Sequence, residues 1–342
     1  MFRLTLPILI VALLSVNLAG QPTSTSIQAA KNHRIMFYNV ENFFDAETDT
    51  SLAYNEFTPE GNLHWTPRKV EAKRKALYKV ITAVGEWSSP AIIGMVEVEN
   101  ETVLQDLLHK TPLGRKGYQI IHFDSPDFRG IDAAMLYSPD FNLIMARPVK
   151  VIDPQDADFT TRDMLYVKGL MGTDTLHIIV NHWTSRYRGL LESNPKRLLQ
   201  AELLLRLTDS ICAVNPNANL VLMGDFNDSP DNESMVKLVE NDGLCKLINL
   251  PLKISNKEVK GTLKFQGKWD IFDQLLVSQN LVSKSSAIQV MDSTGYVFSA
   301  DFILEKDNKF GGSKPFRTNV GFTYHGGFSD HLPVFLDLKS YP

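Results

Sequence analysis

The sequence predicts an α/β fold of the α+β type: two mixed β-sheets packed on one another with helices outside. Two observations carry this. From His33 onward strand-like and helix-like patterns mix without a low-complexity linker or an internal repeat, which argues for one body. Several strand-like runs are also joined by turn residues in place of helices, so antiparallel pairing accompanies any crossover and a simple doubly wound parallel sheet is disfavoured.

The elements follow in order. Arg34 to Val40 is a short apolar run rich in β-formers, and Asp45 to His64 reads as a polar loop. Thr66-Pro67 opens a helix, with threonine at the cap and proline in the first turn. Val70, Leu77, Val80, Ile81 and Val84 form its apolar face, and Arg68, Lys69, Lys73, Arg74, Lys75 and Lys79 are expected on a solvated face. Ala91 to Val98 is a continuous apolar strand holding a carboxylate near its end. Strand signals recur at Tyr118 to Phe123, Asp132 to Tyr137, Ala146 to Ile152, Asp163 to Leu170 and Thr175 to His182. A second helix is expected to start near Asn194-Pro195, its leucines at 198, 199, 203, 205 and 207 packing into the core. Asn219 to Met223, Asp270 to Ser278 and Leu332 to Leu338 complete the strands.

Composition bounds the function. The 342 residues are 44% hydrophobic, enough for a sizeable core, and 35 Lys+Arg against 39 Asp+Glu give a formal charge of −4. That balance excludes nucleic-acid binding by bulk positive charge. The two cysteines, Cys212 and Cys245, cannot build a Cys-rich zinc site, so any metal relies on carboxylates, amides and histidines.

Residues 1–20 read as a signal peptide: Arg3 supplies the positive end, Leu4 to Leu14 the apolar run, and Leu18-Ala19-Gly20 the small residues for cleavage. A flexible mature N-terminus over 21–32 and a single domain over 33–342 are expected. The apolar run falls short of the ~20 residues that span a bilayer, so the expected location is periplasmic or secreted, with no integral membrane segment after signal removal. In an oxidising compartment Cys212 and Cys245 are open to pairing, or are small buried apolar side chains.

Polar residues gather where the apolar strands end: Asn39 after the first, Glu97 in the second, Asn181-His182, Gly224-Asp225-Phe226-Asn227, Asp273, and Ser329-Asp330-His331 before the last. A polar side chain at a strand end faces a crevice while the strand behind it holds it rigid. Any one of these has an ordinary structural reading, an Asp-Asn turn for 225–227 for example. Six together point to chemistry.

In this order the series resembles the endonuclease/exonuclease/phosphatase superfamily, deoxyribonuclease I-like, and the chain reads as a secreted bacterial member. The matching motifs run from residue 34 to 338. The resemblance implies a four-layer sandwich, two mixed sheets face to face and covered by helices. It also implies phosphoester hydrolysis with a divalent cation, usually Mg²⁺, with Mn²⁺ or another divalent ion as alternatives. Such a cation neutralises the phosphoryl oxygens, and magnesium needs only one or two carboxylates. Glu97, Asn39 and Asp330 are then the candidate metal residues. His331 is implied as the catalytic histidine with Asp273 holding its tautomer, Asp225 as the residue orienting or deprotonating water, and Asn227 as a donor to the phosphate. Both His331 and Asp225 remain candidates for the proton acceptor. His182 is implied as a phosphate or leaving-group contact paired with a carboxylate, for which Asp132 is the candidate.

Trp183 to Arg188 adds two aromatics and two arginines, so Asn181, Arg186, Arg188 and the more distant Arg317 are candidate phosphate contacts. The expected substrate is a nucleic-acid phosphodiester, DNA or RNA, cut by a monomeric enzyme. The alternatives are a phospholipid head group, for which Gly295 to Phe302 is the nearest candidate membrane hairpin, an inositol or sugar phosphate, and a catalytically silent binding module.

Overall fold

The computed structural model describes residues 30–48, 54–187, 189–283 and 286–341. The signal-peptide expectation, most of the segment after it, and Arg188 lie outside the described residues.

Two mixed sheets form the body. The first is built around β1 (Lys31–Phe43) and β2 (Ile92–Val98), which pair in parallel. β3 (Gln119–His122) and β4 (Asp132–Tyr137) extend it on the β2 side, and Val334–Ser340, Gly295–Val297 and Leu252–Ile254 on the β1 side; Ile288–Val290 also pairs with Val334–Ser340. The second sheet runs β5 (Phe141–Val149), β6 (Met164–Met171), β7 (Asp174–His182), β8 (Asn219–Asp225), Asp273–Ser278 and Leu247–Asn249, with β7 and β8 parallel and its other pairs antiparallel.

Strand periodicity sorts the side chains into layers. Ile178 and Val180 of β7, Val221 and Met223 of β8, and Leu275 and Val277 join the core shared with the first sheet, while Ile179, Leu220, Leu222 and Leu276 face the helices on the other side. The inter-sheet approach is close at Gly94, where a Cβ would stand 2.6 Å from the Met223 methyl. α1 (Pro67–Gly85) and α2 (Glu101–His109) add Leu77, Val80, Leu104 and Leu107 to the first sheet's core, and α3 (Leu190–Val214) packs Ala201, Leu204 and Ile211 on the second. The order is helix, sheet, sheet, helix, as expected.

Several boundaries differ. The body begins at Lys31, which pairs with Ser340, two residues before the expected boundary. β5 spans Phe141–Val149 in place of Ala146 to Ile152; its exposed Leu143, Ile144 and Met145 sit on an edge strand, where the outer face needs no partner. α3 starts at Leu190, so Pro195 lies within it at the cost of one backbone hydrogen bond. Of the expected leucines only Leu207 is buried, Leu198, Leu199, Leu203 and Leu205 being half-buried; the buried face instead carries Arg197, Gln200, Ala201 and Leu204, with Arg197 Nε 2.8 Å from buried Asp228. Lys73 is not on the solvated face of α1: it is buried with Leu77 and Val80. Gly295 to Phe302 is no exposed hairpin, since its strand lies inside the first sheet and Phe298 and Phe302 pack on the core. Cys212 and Cys245 form a disulfide, Cα atoms 5.6 Å apart, tying α3 to the segment before Leu247–Asn249. Among the described residues no helix is long and apolar enough to cross a membrane.

Candidate active site

The same two-residue period that fills the core delivers the site. Counting on from Ile178 and Val180, the next inward position of β7 is His182; from Val221 and Met223 it is Asp225; back from Val277 and Leu275 it is Asp273. His182 and Asp225 are register partners, and so are Asp225 and Asp273. Three neighbouring strands thus present His, Asp and Asp at one end of the inter-sheet face. Gly224 is required here, because a Cβ would stand 2.4 Å from the Asn181 carbonyl oxygen.

The first sheet supplies its share by breaking its own pattern. Register shifts fall between Asn39 and Phe43 in the β1–β2 pairing and between Val96 and Val98 in the β2–β4 pairing. Glu41, Asn42 and Glu97 have φ of 50°, 55° and 64°, left-handed values unusual for side-chain-bearing residues, and Asn227 joins them at 52°. Bulges of this kind re-aim a side chain at a strand end.

His331 Nδ1 lies 2.8 Å from Asp273 Oδ2, and its Nε2 faces Asp225 Oδ2 at 3.7 Å. Burial disfavours its charged form, but Asp273 and Asp225 outweigh that and hold it well above the ordinary histidine value. Asp225 is pushed up to about 6, chiefly by burial, against the pull of His331. Asp225 also accepts from Asn39 Nδ2 at 3.1 Å and from the Asn227 backbone N–H at 3.0 Å. On its other side, His182 Nε2 lies 3.7 Å from Asp225 Oδ2 and 3.9 Å from Glu97 Oε1. Burial, with Arg162 and Arg129 nearby, lowers the His182 pKa, so this imidazole is neutral beside the charged one. Glu97 accepts from the Asn42 backbone N–H at 3.0 Å and from Asn39 Nδ2 at 3.4 Å. The Ser329 hydroxyl donates to the Asn39 carbonyl at 2.7 Å, tying the last motif to β1.

The structure therefore brings together Asn39, Glu97, His182, Asp225, Asp273 and His331. Asp330 stands next to His331 and accepts from Arg317 Nη2 at 3.0 Å. Burial raises its pKa, but Arg317, His331 and Lys73 lower it further, and the carboxyl is held below its ordinary value.

Other candidates are placed differently. Asn39 turns its amide nitrogen toward Glu97 and Asp225 while its oxygen accepts from the Glu41 N–H, so here it aligns the carboxylates. Asp132 does not reach His182; it accepts from Ser125 and pairs with His122 Nε2 at 3.1 Å, because β3 stands beside β4 and offers its own histidine. Asn181 points the opposite way from His182, as alternate strand residues must, bonding the Ile179 and Met223 carbonyls and Trp183 Nε1. Trp183 is buried against Phe226 and offers no face to a base. Arg186 spends its guanidinium on the Asn227 carbonyl, Asp228 and Asn232. The Asn227 side-chain amide donates to the Trp183 carbonyl.

Four features were not singled out in the sequence. Glu41 is buried and accepts from Arg317 Nε at 3.1 Å and the Thr318 N–H at 2.6 Å; burial pushes it up to about 7. Buried Lys73, lowered to about 8 by desolvation, donates to Thr318 Oγ1 and the Phe328 carbonyl. Its place on the Val70–Leu77 apolar stripe was the available signal. Arg162, buried, joins Asp127 at 3.0 Å and the Trp183 carbonyl. Finally, His122, Asp124 and Asp132 place ligand atoms within 4.8 Å of one another, a grouping able to hold a metal ion at a place separate from Glu97 and Asp330.

Residues 34–340 match the model of the Endonuclease/Exonuclease/phosphatase family. No curated protein matches by sequence. Among solved structures, an endonuclease/exonuclease/phosphatase family protein from Bacteroides thetaiotaomicron is 16% identical, with 91% of this chain and 99% of that one covered at a TM-score of 0.57. Truncated Caenorhabditis elegans TDP2 is 17% identical, covering 91% and 98% with a TM-score of 0.54. The human Nocturnin catalytic domain with bound sulfate anion is 18% identical, covering 91% and 95% with a TM-score of 0.52. These likenesses are of fold.

Proposed function

Because the chain belongs to the Endonuclease/Exonuclease/phosphatase family of metal-dependent phosphoric ester hydrolases, we propose that it is a secreted or periplasmic Mg²⁺-dependent phosphodiesterase acting on DNA or RNA. The observation that carries the reading is one carboxylate, Asp225, flanked at 3.7 Å by two histidines of opposite character, His331 charged and His182 neutral.

The donor set fits a hard divalent cation. Glu97 and Asp330 offer carboxylate oxygens, the ligands magnesium prefers, and Glu97 Oε1 meets Asn39 at 3.4 Å and His182 at 3.9 Å. When bound there, the cation would neutralise phosphoryl oxygens and favour charge on the leaving oxygen. The chain's own groups do the rest. Asp225, with a pKa near the working range and its second oxygen fixed by the Asn227 N–H, takes the proton of the attacking water. His331, kept cationic by Asp273, offers its Nε2 proton to the phosphoryl oxygen. Neutral His182 carries a hydrogen-bonding nitrogen on the other side of Asp225.

A nucleic-acid substrate is favoured over a lipid by two features. The nearest candidate for a membrane hairpin, Gly295 to Phe302, pairs within the first sheet and packs its aromatics on the core. Near His182 and Glu97, Arg129 lies 5.9 Å from the ring of Phe128, which is 64% exposed and meets Tyr54 edge-on at 6.1 Å. That is a surface able to stack a base beside a phosphate.

The test offers the purified protein plasmid DNA, RNA, sphingomyelin, inositol phosphates and bis(p-nitrophenyl) phosphate with Mg²⁺, Mn²⁺ or EDTA. Cation-dependent cleavage of nucleic acid and of the synthetic diester is expected, with loss in His331→Ala and Glu97→Ala. Activity surviving EDTA, or confined to the lipid, overturns the proposal.

A further inference from the structure

Behind Asp330 lies a chain of buried polar contacts. Asp330 accepts from Arg317 Nη2 at 3.0 Å, and the same guanidinium donates through Nε to Glu41 at 3.1 Å. The other Glu41 oxygen accepts from the Thr318 N–H at 2.6 Å, and the Thr318 hydroxyl accepts from Lys73 Nζ at 2.5 Å. Lys73 Nζ also donates to the carbonyl of Phe328, two residues before Asp330. Glu41, Thr318 and Lys73 are all buried.

This arrangement is expensive. Lys73 occupies a core position of α1, where methionine would fill the same space, and its direct partners are a hydroxyl and a carbonyl, both neutral. Glu41 stands in the left-handed region, strained for a residue with a Cβ. A carboxyl and an amine are thus kept out of water, joined through Thr318, and the carboxyl stands a guanidinium's length from Asp330. Because they are buried, their fields reach the carboxylates with little screening.

We propose that Glu41 and Lys73 are a buried couple that sets the cation affinity of the Glu97–Asp330 face, Glu41 offsetting Arg317 and Lys73 so that the face stays negative. The proposal rests on the cation-site reading above. Neither residue touches the substrate; both act through Arg317 and Thr318 on Asp330. Removing either charge is expected to shift the binding of a divalent cation by about tenfold or more, in opposite directions.

The sign pattern is the test. Mn²⁺ binding is measured by calorimetry at pH 7.5 on the full chain, on Glu41→Gln, on Lys73→Met, on the double variant, and on Glu97→Gln as the site control, each checked for fold by circular dichroism. Glu41→Gln is expected to weaken Mn²⁺ about tenfold or more, Lys73→Met to tighten it about tenfold, and the double variant to return within about threefold of the parent. A merely structural couple would lower thermal stability in both single variants and weaken binding in both. Lys73→Met binding Mn²⁺ no tighter than the parent overturns the proposal, as does an unchanged Glu41→Gln. Should Glu41→Gln fail to fold, Lys73→Met alone carries the sign. If the parent and Glu97→Gln bind Mn²⁺ alike, the cation-site reading itself fails and takes the proposal with it.

Discussion

Asp273→Asn isolates the contact on which the histidine's charge depends. Asp273 is fully buried, its Oδ2 lies 2.8 Å from His331 Nδ1, and its backbone N–H is held by the Thr262 hydroxyl, which the substitution leaves in place. Asparagine keeps the size and removes one unit charge. At about 4 Å between charge centres and an effective dielectric of about 20, the imidazolium loses roughly 4 kcal/mol of attraction. Asp225 and Asp330 still favour the charged form, so the loss is a lowering of the His331 pKa from its raised position. If His331 must be cationic in the transition state, kcat/KM at pH 8 falls by about 10²- to 10³-fold. The direction with pH is equally definite. The alkaline limb of the rate profile moves toward neutrality, and the parent-to-variant ratio grows from pH 6 to pH 9. Stability follows the same linkage: a raised histidine pKa stabilises the fold below about 6.5 and that contribution is lost as pH rises through the folded value, so the variant loses stability on the acid side of that window. The assay is initial-rate hydrolysis of bis(p-nitrophenyl) phosphate at saturating Mg²⁺ across pH 6–9. A variant that keeps a third of the parent rate throughout, or a ratio flat in pH, refutes the argument.

Three further outcomes are expected. The Cys212–Cys245 bridge closes a loop with a sequence separation of 33, so replacing both cysteines with serine lowers the unfolding free energy by about 3–4 kcal/mol on the chain-entropy model; a urea midpoint equal to the parent's contradicts this. His177, buried beside Tyr166 with Nδ1 2.8 Å from its hydroxyl, is lowered to about 4 by desolvation. The unfolded chain therefore binds the extra proton, and stability falls by about 3 kcal/mol as pH drops from about 6.5 to 4. His177→Gln should flatten that slope, and an unchanged slope in thermal or urea unfolding would exclude His177 as its source. Asp132→Asn should keep the hydrolytic rate within about threefold while lowering thermal stability, since Asp132 serves His122 and Ser125; a hundredfold loss of rate would restore it as the partner of His182.

What was legible in the sequence follows the period of a strand. His182, Asp225 and Asp273 each continue a run of inward apolar residues, so knowing that Val180, Met223 and Leu275 are core places all three at one end of one face. The same rule turns Asn181 away, a consequence the motif Asn-His-Trp conceals when read as a unit. Partners were less legible than positions. His182 needs a neighbour on another strand, and Asp132 opens the strand beside β2, yet β3 on its far side carries His122 at the contact position. No pattern along a single chain ranks those two histidines, because the choice is made by side-chain reach across strands. Glu97 is harder still, since its aim comes from a bulge, and a bulge shifts the parity on which the sequence argument depends.

Lys73 shows the remaining gap. A basic residue in a run of basic residues on an amphipathic helix reads as solvated, and Arg68, Lys75 and Lys79 are exposed as that rule has it, while Lys69 and Arg74 are partly buried. Lys73 departs from it because its helical position, three residues after Val70 and four before Leu77, lies on the stripe that faces the sheet. There the chain must either bury a cation or supply it with partners, and the partners come from Thr318 and Phe328, some 250 residues away. The local pattern held the contradiction, a charge on an apolar stripe, but its resolution is tertiary. Glu41 and Arg317 belong to that same resolution: the loop arginine that reads as a phosphate contact bonds both Glu41 and the Asp330 carboxylate, and the helix position that reads as surface holds Thr318 and the Phe328 carbonyl beside them.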